Sequence, residues 1–452
     1  MNMLFMELRQ IAHSRLAVGA VVLLALLSGL SVWTGLQAVS QQRATLERIA
    51  ASHAGDHAAI AASQLKSGSA EAGAIGYYLP HLTVNPPSPL AFAAIGQRDL
   101  QPQALRVRLL GLQAQLYDAE AINPELAMPG RFDFAFVLVY LAPLFVIALM
   151  HDLVTGEREA GRLRLLASLP AGAAKTWRRR AGLRYGLVWL AALLPLGAGA
   201  LVAGAGLADL AAIVLVATLY LAFWLGLASW VAARARNSSS SAAILLACLV
   251  GLTMILPTLA DAAIARLSPV SKGVELALAQ RQAVHAGWDV PKPDTFARFF
   301  RSHPEWKDTT PVEGRFHWKW YYAMHQVGDD AVAADVAEYR ASMLARERWT
   351  ARVGWLLAPV NVQVLLHRLA QSDLRAQLAY QERIAAYHAR LRSFFYPYLF
   401  NERAFTRADL EKLPVYAHGA APAALPVGQL LVLAGLALMV LLPGLSRLRT
   451  PH

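Results

Sequence analysis

Charged residues fall in blocks along this chain, separated by long runs that hold none. No Asp, Glu, Lys or Arg occurs in Leu16 to Leu36, Phe134 to Met150, Tyr185 to Ala203, Leu210 to Ala232, Ala242 to Leu259 or Leu425 to Leu445. A helix rises about 1.5 Å per residue, so about 20 apolar residues cross a hydrocarbon core about 30 Å thick. The pattern therefore predicts an all-α integral membrane protein with six transmembrane helices at 16–36, 132–150, 185–203, 210–232, 242–260 and 425–445. The first run is longer than a signal-peptide core, which is only about 7 to 15 residues. It reads as an uncleaved span.

The polar intervals have their own patterns. In the first fifteen residues Leu4, Leu8, Ile11 and Arg15 recur at helical spacing with Glu7 and Arg9 turned away. That spacing suits an amphipathic helix, residues 1–15, lying along the inner leaflet. In the interval 37–131 a helix continues to roughly Leu65, the proline-punctuated TVNPPSPLAF is extended, and Gln101 to Tyr117 is again helical. In the interval 261–424 helical patterns occupy Pro269 to Ala286, Asp329 to Ala351 and Val362 to Phe395. An aromatic and proline-containing stretch, RFFRSHPEWKDTTPVEGRFHWKWYY, lies among them, and Trp355 to Val360 is apolar enough to touch a bilayer surface.

The charge blocks orient the spans. Arg9 and Arg15, the cluster Lys175, Arg178, Arg179, Arg180 and Arg184, the pair Arg234 and Arg236, and the pair Arg447 and Arg449 all fall on one side of a six-span topology. Short loops rich in Lys and Arg stay in the cytoplasm, whereas long segments translocate largely regardless of charge. Both termini and the segment 151–184 are thus expected to be cytoplasmic, with the tail at 446–452. Two large, mainly helical insertions, 37–131 and 261–424, then lie on the outer face of the membrane.

Composition agrees with this class. The 452 residues are 56% hydrophobic and only 16% charged, with a mean hydropathy of +0.38, too apolar for an ordinary soluble domain. The net charge of +12 follows from the positive-inside rule and requires no nucleic-acid partner. The single cysteine, Cys248, lies in an apolar run, which leaves no intrachain disulfide and no cysteine-based metal site.

Recognisable catalytic chemistry is missing. PAGAAKT, residues 170–176, lacks the glycine before Lys175 that a phosphate-cradling loop needs, so any ATPase must be another polypeptide. His53 and His57, four apart, could share a helix face as metal ligands, but no third ligand is evident and a solvated face is the better reading. His303, His317 and His325 read as surface histidines. The span interiors hold no ionisable group of the kind that proton-driven pumps bury.

The segment 151–184 organises the rest. It carries Glu157, Arg158 and Glu159, a small residue at Gly161, apolar Leu163, Leu165 and Leu166, a stop at Pro170 and then the basic cluster. The pattern ERExGxLxLLxSxP, Glu157 through Pro170, together with six spans and the amphipathic start, resembles the permease subunits of type-2 ABC exporters, the ABC-2 family. LLAPVNVQVLLHRLAQSDL and RSFFYP in the last large interval resemble a bacterial branch of it, the DUF3526 permeases. Arg162 stands where that family usually has Thr or Ser.

The resemblance implies that Glu157 to Ser168 is a coupling helix. It would dock on a separate ABC ATP-binding subunit, two copies per complex, with Glu157 and Glu159 pairing with basic residues there and the leucines anchoring the helix. It further implies pairing with a second copy or a sister permease, no cofactor in this chain, and ATP and magnesium on the partner. The expected function is a permease coupling ATP hydrolysis elsewhere to export or force transmission across a bacterial inner (cytoplasmic) membrane, with the insertions 37–131 and 261–424 periplasmic. The alternative is a membrane-anchored scaffold whose outer domains recruit envelope partners.

Overall fold

A computed structural model describes residues 3–66, 69–117, 131–163, 173–270, 273–417, 419 and 425–448. The chain is mostly helical, and six of its helices are long and apolar enough to cross a membrane. They are α2 (Arg15–Gln64), α5 (Phe134–Glu159), α6 (Lys175–Ala203), α7 (Leu207–Arg234), α8 (Ser238–Leu267) and α15 (Val427–Arg447). Between them lie α1 (Met3–His13), α3 (Ala72–Tyr78), α4 (Leu112–Tyr117), α9 (Gly273–Ala286), α10 (Lys292–Ser302), α11 (Trp318–Ala331), α12 (Ala333–Val353), α13 (Ala358–Leu369) and α14 (Leu374–Phe400). Large apolar side chains such as Leu194, Leu201, Leu431 and Met439 stand exposed on the long helices. Such a surface is stable against lipid, not water.

Helix α2 runs unbroken for 50 residues, about 75 Å at helical rise. Its first part is apolar and long enough to cross a membrane, and the remainder is a stalk. Against that stalk an extramembrane domain is built from both large intervals, with an aromatic core that includes Ile75, Phe299, Tyr322, Phe395 and Phe405.

Two small antiparallel sheets join distant parts of this domain. Strand β1 (Ser69–Glu71) pairs with β4 (Ala404–Thr406), and β2 (His81–Val84) pairs with β3 (Ala104–Val107). The purely helical expectation is corrected to this extent. The helix expected over Gln101 to Tyr117 is instead β3, a turn and the short α4, because Leu105 and Val107 pair with Thr83 and His81. The pattern read from Val362 to Phe395 is two helices, starting at Ala358 and broken where Gln371 takes a positive φ of 51°. The pattern read from Asp329 is likewise split, into α11 and α12.

Inside the bundle, prolines and glycines set the geometry. Pro143 has no N–H for the carbonyl of Val139, and the helix widens into a π turn at Val137–Leu141. The freed oxygen accepts a hydrogen bond from the Tyr220 hydroxyl at 2.8 Å, in a buried site. Helices α7 and α15 pack backbone to backbone at Gly226 and Gly444, where a Cβ on Gly226 would stand 2.5 Å from the Leu441 Cα. Small residues permit such backbone approach in lipid.

Candidate functional site

The organising segment begins as a continuation of the second span. After a turn at 151–154 the chain re-enters a helix, Thr155–Glu159, and Gly161, at a φ of +70°, ends it. That backbone region suits glycine and strains most other residues. The continuous helix expected over Glu157 to Ser168 is therefore interrupted at Gly161. Leu165, Leu166 and Pro170 lie outside the described residues. Leu163 packs against the bundle core.

The acidic residues of the segment are engaged within the chain. Glu157, buried, accepts from Arg162 Nε at 2.6 Å and from Arg180 Nη1 at 2.9 Å. Arg180 Nε also donates to Glu7 Oε1 at 2.8 Å. One guanidinium thus ties the segment, the third spanning helix and the N-terminal α1 together. The several N–H donors of an arginine, held in a fixed fork, favour this arrangement.

Glu159 reaches a different span. Its carboxylate accepts from the Ser238 backbone N–H at 2.7 Å and from the Ser238 hydroxyl at 3.1 Å, at the first turn of α8. A carboxylate there satisfies an orphan N–H and complements the helix dipole. Thr155 adds a hydroxyl contact to Ser238 at 3.0 Å, and Arg158 donates to the Ala235 carbonyl. The Lys175 to Arg184 cluster forms the opening turns of the third spanning helix, where Arg184 pairs with Asp152 at 2.8 Å.

Exposed here are Glu159, despite its bonds to Ser238, and the turn itself, Ala160, Gly161 and Arg162. From sequence, Glu157 and Glu159 are expected to pair with basic residues of a partner; within the chain Glu157 is buried on Arg162 and Arg180, and the exposed Glu159 is bonded to Ser238. Their partners Arg180 and Ser238 are far away in the chain, and spacing alone does not indicate them.

The opposite end of the bundle is closed by two pieces of the extramembrane intervals. Leu90 to Ala94 is almost fully buried in the same core as the spans. A Cβ on Gly35 in α2 would stand 1.9 Å from the Phe92 carbonyl oxygen, so only glycine fits there. Helix α13 buries Val362, Leu365, Leu366 and Leu369 in that core as well. Ser372 Oγ donates to the Ala94 carbonyl and Ser88 Oγ to the Ala370 carbonyl, both at 2.6 Å, locking the two pieces together. Non-spanning backbone is tolerated at this depth only where protein encloses it.

The histidines group differently from the expectation. The His53 and His57 rings lie 5.6 Å apart, and His81 from β2 adds a ring 6.4 Å from His57. Among the described residues no set of three or more His, Cys, Asp or Glu side chains is arranged to hold a metal. His325 is enclosed rather than superficial: its Nδ1 accepts from the Gly111 N–H at 3.1 Å, and burial pushes its pKa down to about 3. His317 caps α11, and His303 stacks on Phe299.

Residues 274–419 match the family model of a domain of unknown function, DUF3526. The matched segment runs from α9 to beyond β4 and includes both the closing helix α13 and much of the aromatic core. No curated protein and no solved structure matches the chain. The DUF3526 part of the sequence resemblance is thus found in the part of the chain where its motifs lie.

Proposed function

We propose that this chain is the membrane-spanning permease subunit of an ABC-2 type transporter of a bacterial inner membrane. A separate ATP-binding subunit would drive it through the segment 151–184. The observation that carries this reading is the position of Arg180, bonded at once to Glu157 and Glu7. A displacement of the 155–163 turn would pass directly to α1 and to the third spanning helix, and through Glu159 to α8. Lateral force therefore reaches three helices without needing the segment to unfold.

In this reading the exposed turn Ala160 to Arg162 contacts the partner, and the carboxylates of Glu157 and Glu159, bonded within the chain, hold the turn rigid. The enclosed helix α13 and the loop Leu90 to Ala94 are the closure that an export cycle would have to move. ATP and magnesium belong to the partner, consistent with the missing phosphate-binding loop. The complex would contain this chain twice, or once with a sister permease, and two ATP-binding subunits.

A photo-crosslinking residue at position 160 of the full chain tests the proposal in cells. An adduct identified by mass spectrometry as a polypeptide with a phosphate-binding loop is expected, and Arg162→Glu should lower ATP hydrolysis by the co-purified complex. Failure to capture such a polypeptide, or hydrolysis indifferent to Arg162→Glu, contradicts the assignment.

A scaffold role is the second reading, favoured by one feature of the extramembrane domain. A cavity of about 540 Å³ opens between β1, Trp318 and Glu402, and Glu402 is held there at a positive φ of 55° by the fully buried Lys319 at 2.5 Å. A pocket with strained backbone at its rim is suited to recognition. Loss of envelope-partner binding with ATP hydrolysis unchanged on Trp318→Ala would favour it.

A further inference from the structure

Where the extramembrane domain meets the last span, four arginines converge on a cavity of about 390 Å³. Arg348 and Arg352 come from α12, Arg368 from α13 and Arg375 from α14, while Val427 and Val432 of α15 form the opposite wall. The cavity lining contains no carboxylate. Behind it, Glu347 pairs with Arg368 and, at 2.6 Å, with Arg375, and Asp373 lies 3.9 Å from Arg368 Nε. Burial raises the Glu347 pKa, but hydrogen bonds from these two arginines outweigh it and hold the carboxyl below its usual range. Two carboxylates therefore face four guanidiniums, and among the described residues no ion pair is found for Arg348 or Arg352.

The surroundings are graded from charged to apolar. Trp355 is 56% exposed and Leu356 80%, and Val427, which lines the cavity with Trp355, is exposed, as are Leu425 and Leu431 near it in the chain. Arg352 lies over the Trp349 ring, 4.7 Å from its centre. Interfacial tryptophans with arginines above and aliphatic side chains below match the polarity of a phospholipid, phosphate uppermost and acyl chains beneath. Arg368 Nη1 donates to Gln429 Oε1 at 2.6 Å, so the cationic wall is fastened to the first turn of α15 and does not drift from it. A free anion would use the arginines but leave the apolar wall and Trp355 in water.

We propose that this cavity binds the headgroup of an anionic phospholipid, with Arg348 and Arg352 on the phosphate and the acyl chains along Val427, Val432 and Trp355. This inference does not rest on the ATP-driven reading and would hold for the scaffold equally. The full chain is purified from detergent after exposure to vesicles of phosphatidylcholine with or without phosphatidylglycerol, and retained lipid is read by native mass spectrometry.

Phosphatidylglycerol is expected to stay bound in preference to phosphatidylcholine. Arg348→Ala with Arg352→Ala should weaken its retention by roughly tenfold, the scale of two lost charge-assisted contacts. Arg298→Ala, an exposed arginine on α10, should leave retention unchanged, and the single Arg352→Gln serves if the double variant does not fold. Equal retention by the arginine variants overturns the proposal, as does equal retention of phosphatidylcholine. Displacement of the lipid by inorganic phosphate alone would mark a free-anion site and overturn it too.

Discussion

Arg180 donates to Glu157 at 2.9 Å with both side chains almost enclosed, at 13% and 10% exposure. Removing either partner leaves a desolvated charge facing the other's former place, which costs more than the pair contributes in net terms. A double-mutant cycle of Glu157→Gln and Arg180→Gln, read by denaturant unfolding of the full chain, should give a coupling of about 1 to 3 kcal/mol. A coupling near zero would mean the pair is a solvated surface contact, and the segment would then not be fastened to the third spanning helix.

The Tyr220 hydroxyl replaces the bond that Pro143 cannot make to Val139. Tyr220→Phe should therefore destabilise the chain by about 1 to 3 kcal/mol, the cost of an unsatisfied buried carbonyl. Combining it with Pro143→Ala should restore much of the loss, because an alanine N–H can supply the missing donor. Thermal unfolding of the parent, the two single variants and the double variant checks both effects, and additive losses would contradict the relationship.

At the crossing of α7 and α15, Gly226→Ala places a methyl against the Leu441 backbone. Overpacking of this kind costs about 1 to 3 kcal/mol. Gly435→Ala, on the same α15 but with open space around it, should be neutral or slightly stabilising because alanine is the better helix former. Melting temperatures of the two variants should separate clearly.

Acid should weaken the extramembrane domain through His81. Its ring is 4% exposed, and burial, with smaller contributions from His57 and His53, lowers its pKa to about 3. Tyr387 and Phe395 pack against the same ring. Between pH 6.5 and that value the unfolded chain binds the proton and the folded one does not. Stability is thus fully present above about pH 6.5 and falls on acidification, by about 2 to 3 kcal/mol at pH about 4.5 for this group. His81→Phe should flatten the pH dependence of the melting temperature over that range, and an unchanged slope would assign it to other groups such as the buried His388.

The six spans were legible because each is a charge-free run near the length that crosses hydrocarbon, and the turn after the second span announced itself by its charges. The closure of the bundle was not legible. Leu90 to Ala94 is too short an apolar run for periodicity to assign, and α13 looked like one more amphipathic helix until its partners were known. The helix read at Gln101 to Tyr117 failed because strand pairing with His81 to Val84 overrides local pattern. At the candidate site the intrachain bonds of Glu157 and Glu159 were not legible, because the guanidinium of Arg180 and the amide of Ser238 come from other helices.

The account rests on the turn after the second span facing the cytoplasm, where an ATP-binding partner could reach it. A Cys248→Ala background with a single cysteine at Ala160, an exposed position, tests this by labelling with a membrane-impermeant maleimide in intact and permeabilised cells. Ala160→Cys should be labelled only after permeabilisation, whereas Glu338→Cys on α12 should be labelled in intact cells. Labelling of Ala160→Cys in intact cells would put the turn on the outer face, beyond any cytoplasmic ATPase, and contradict the account.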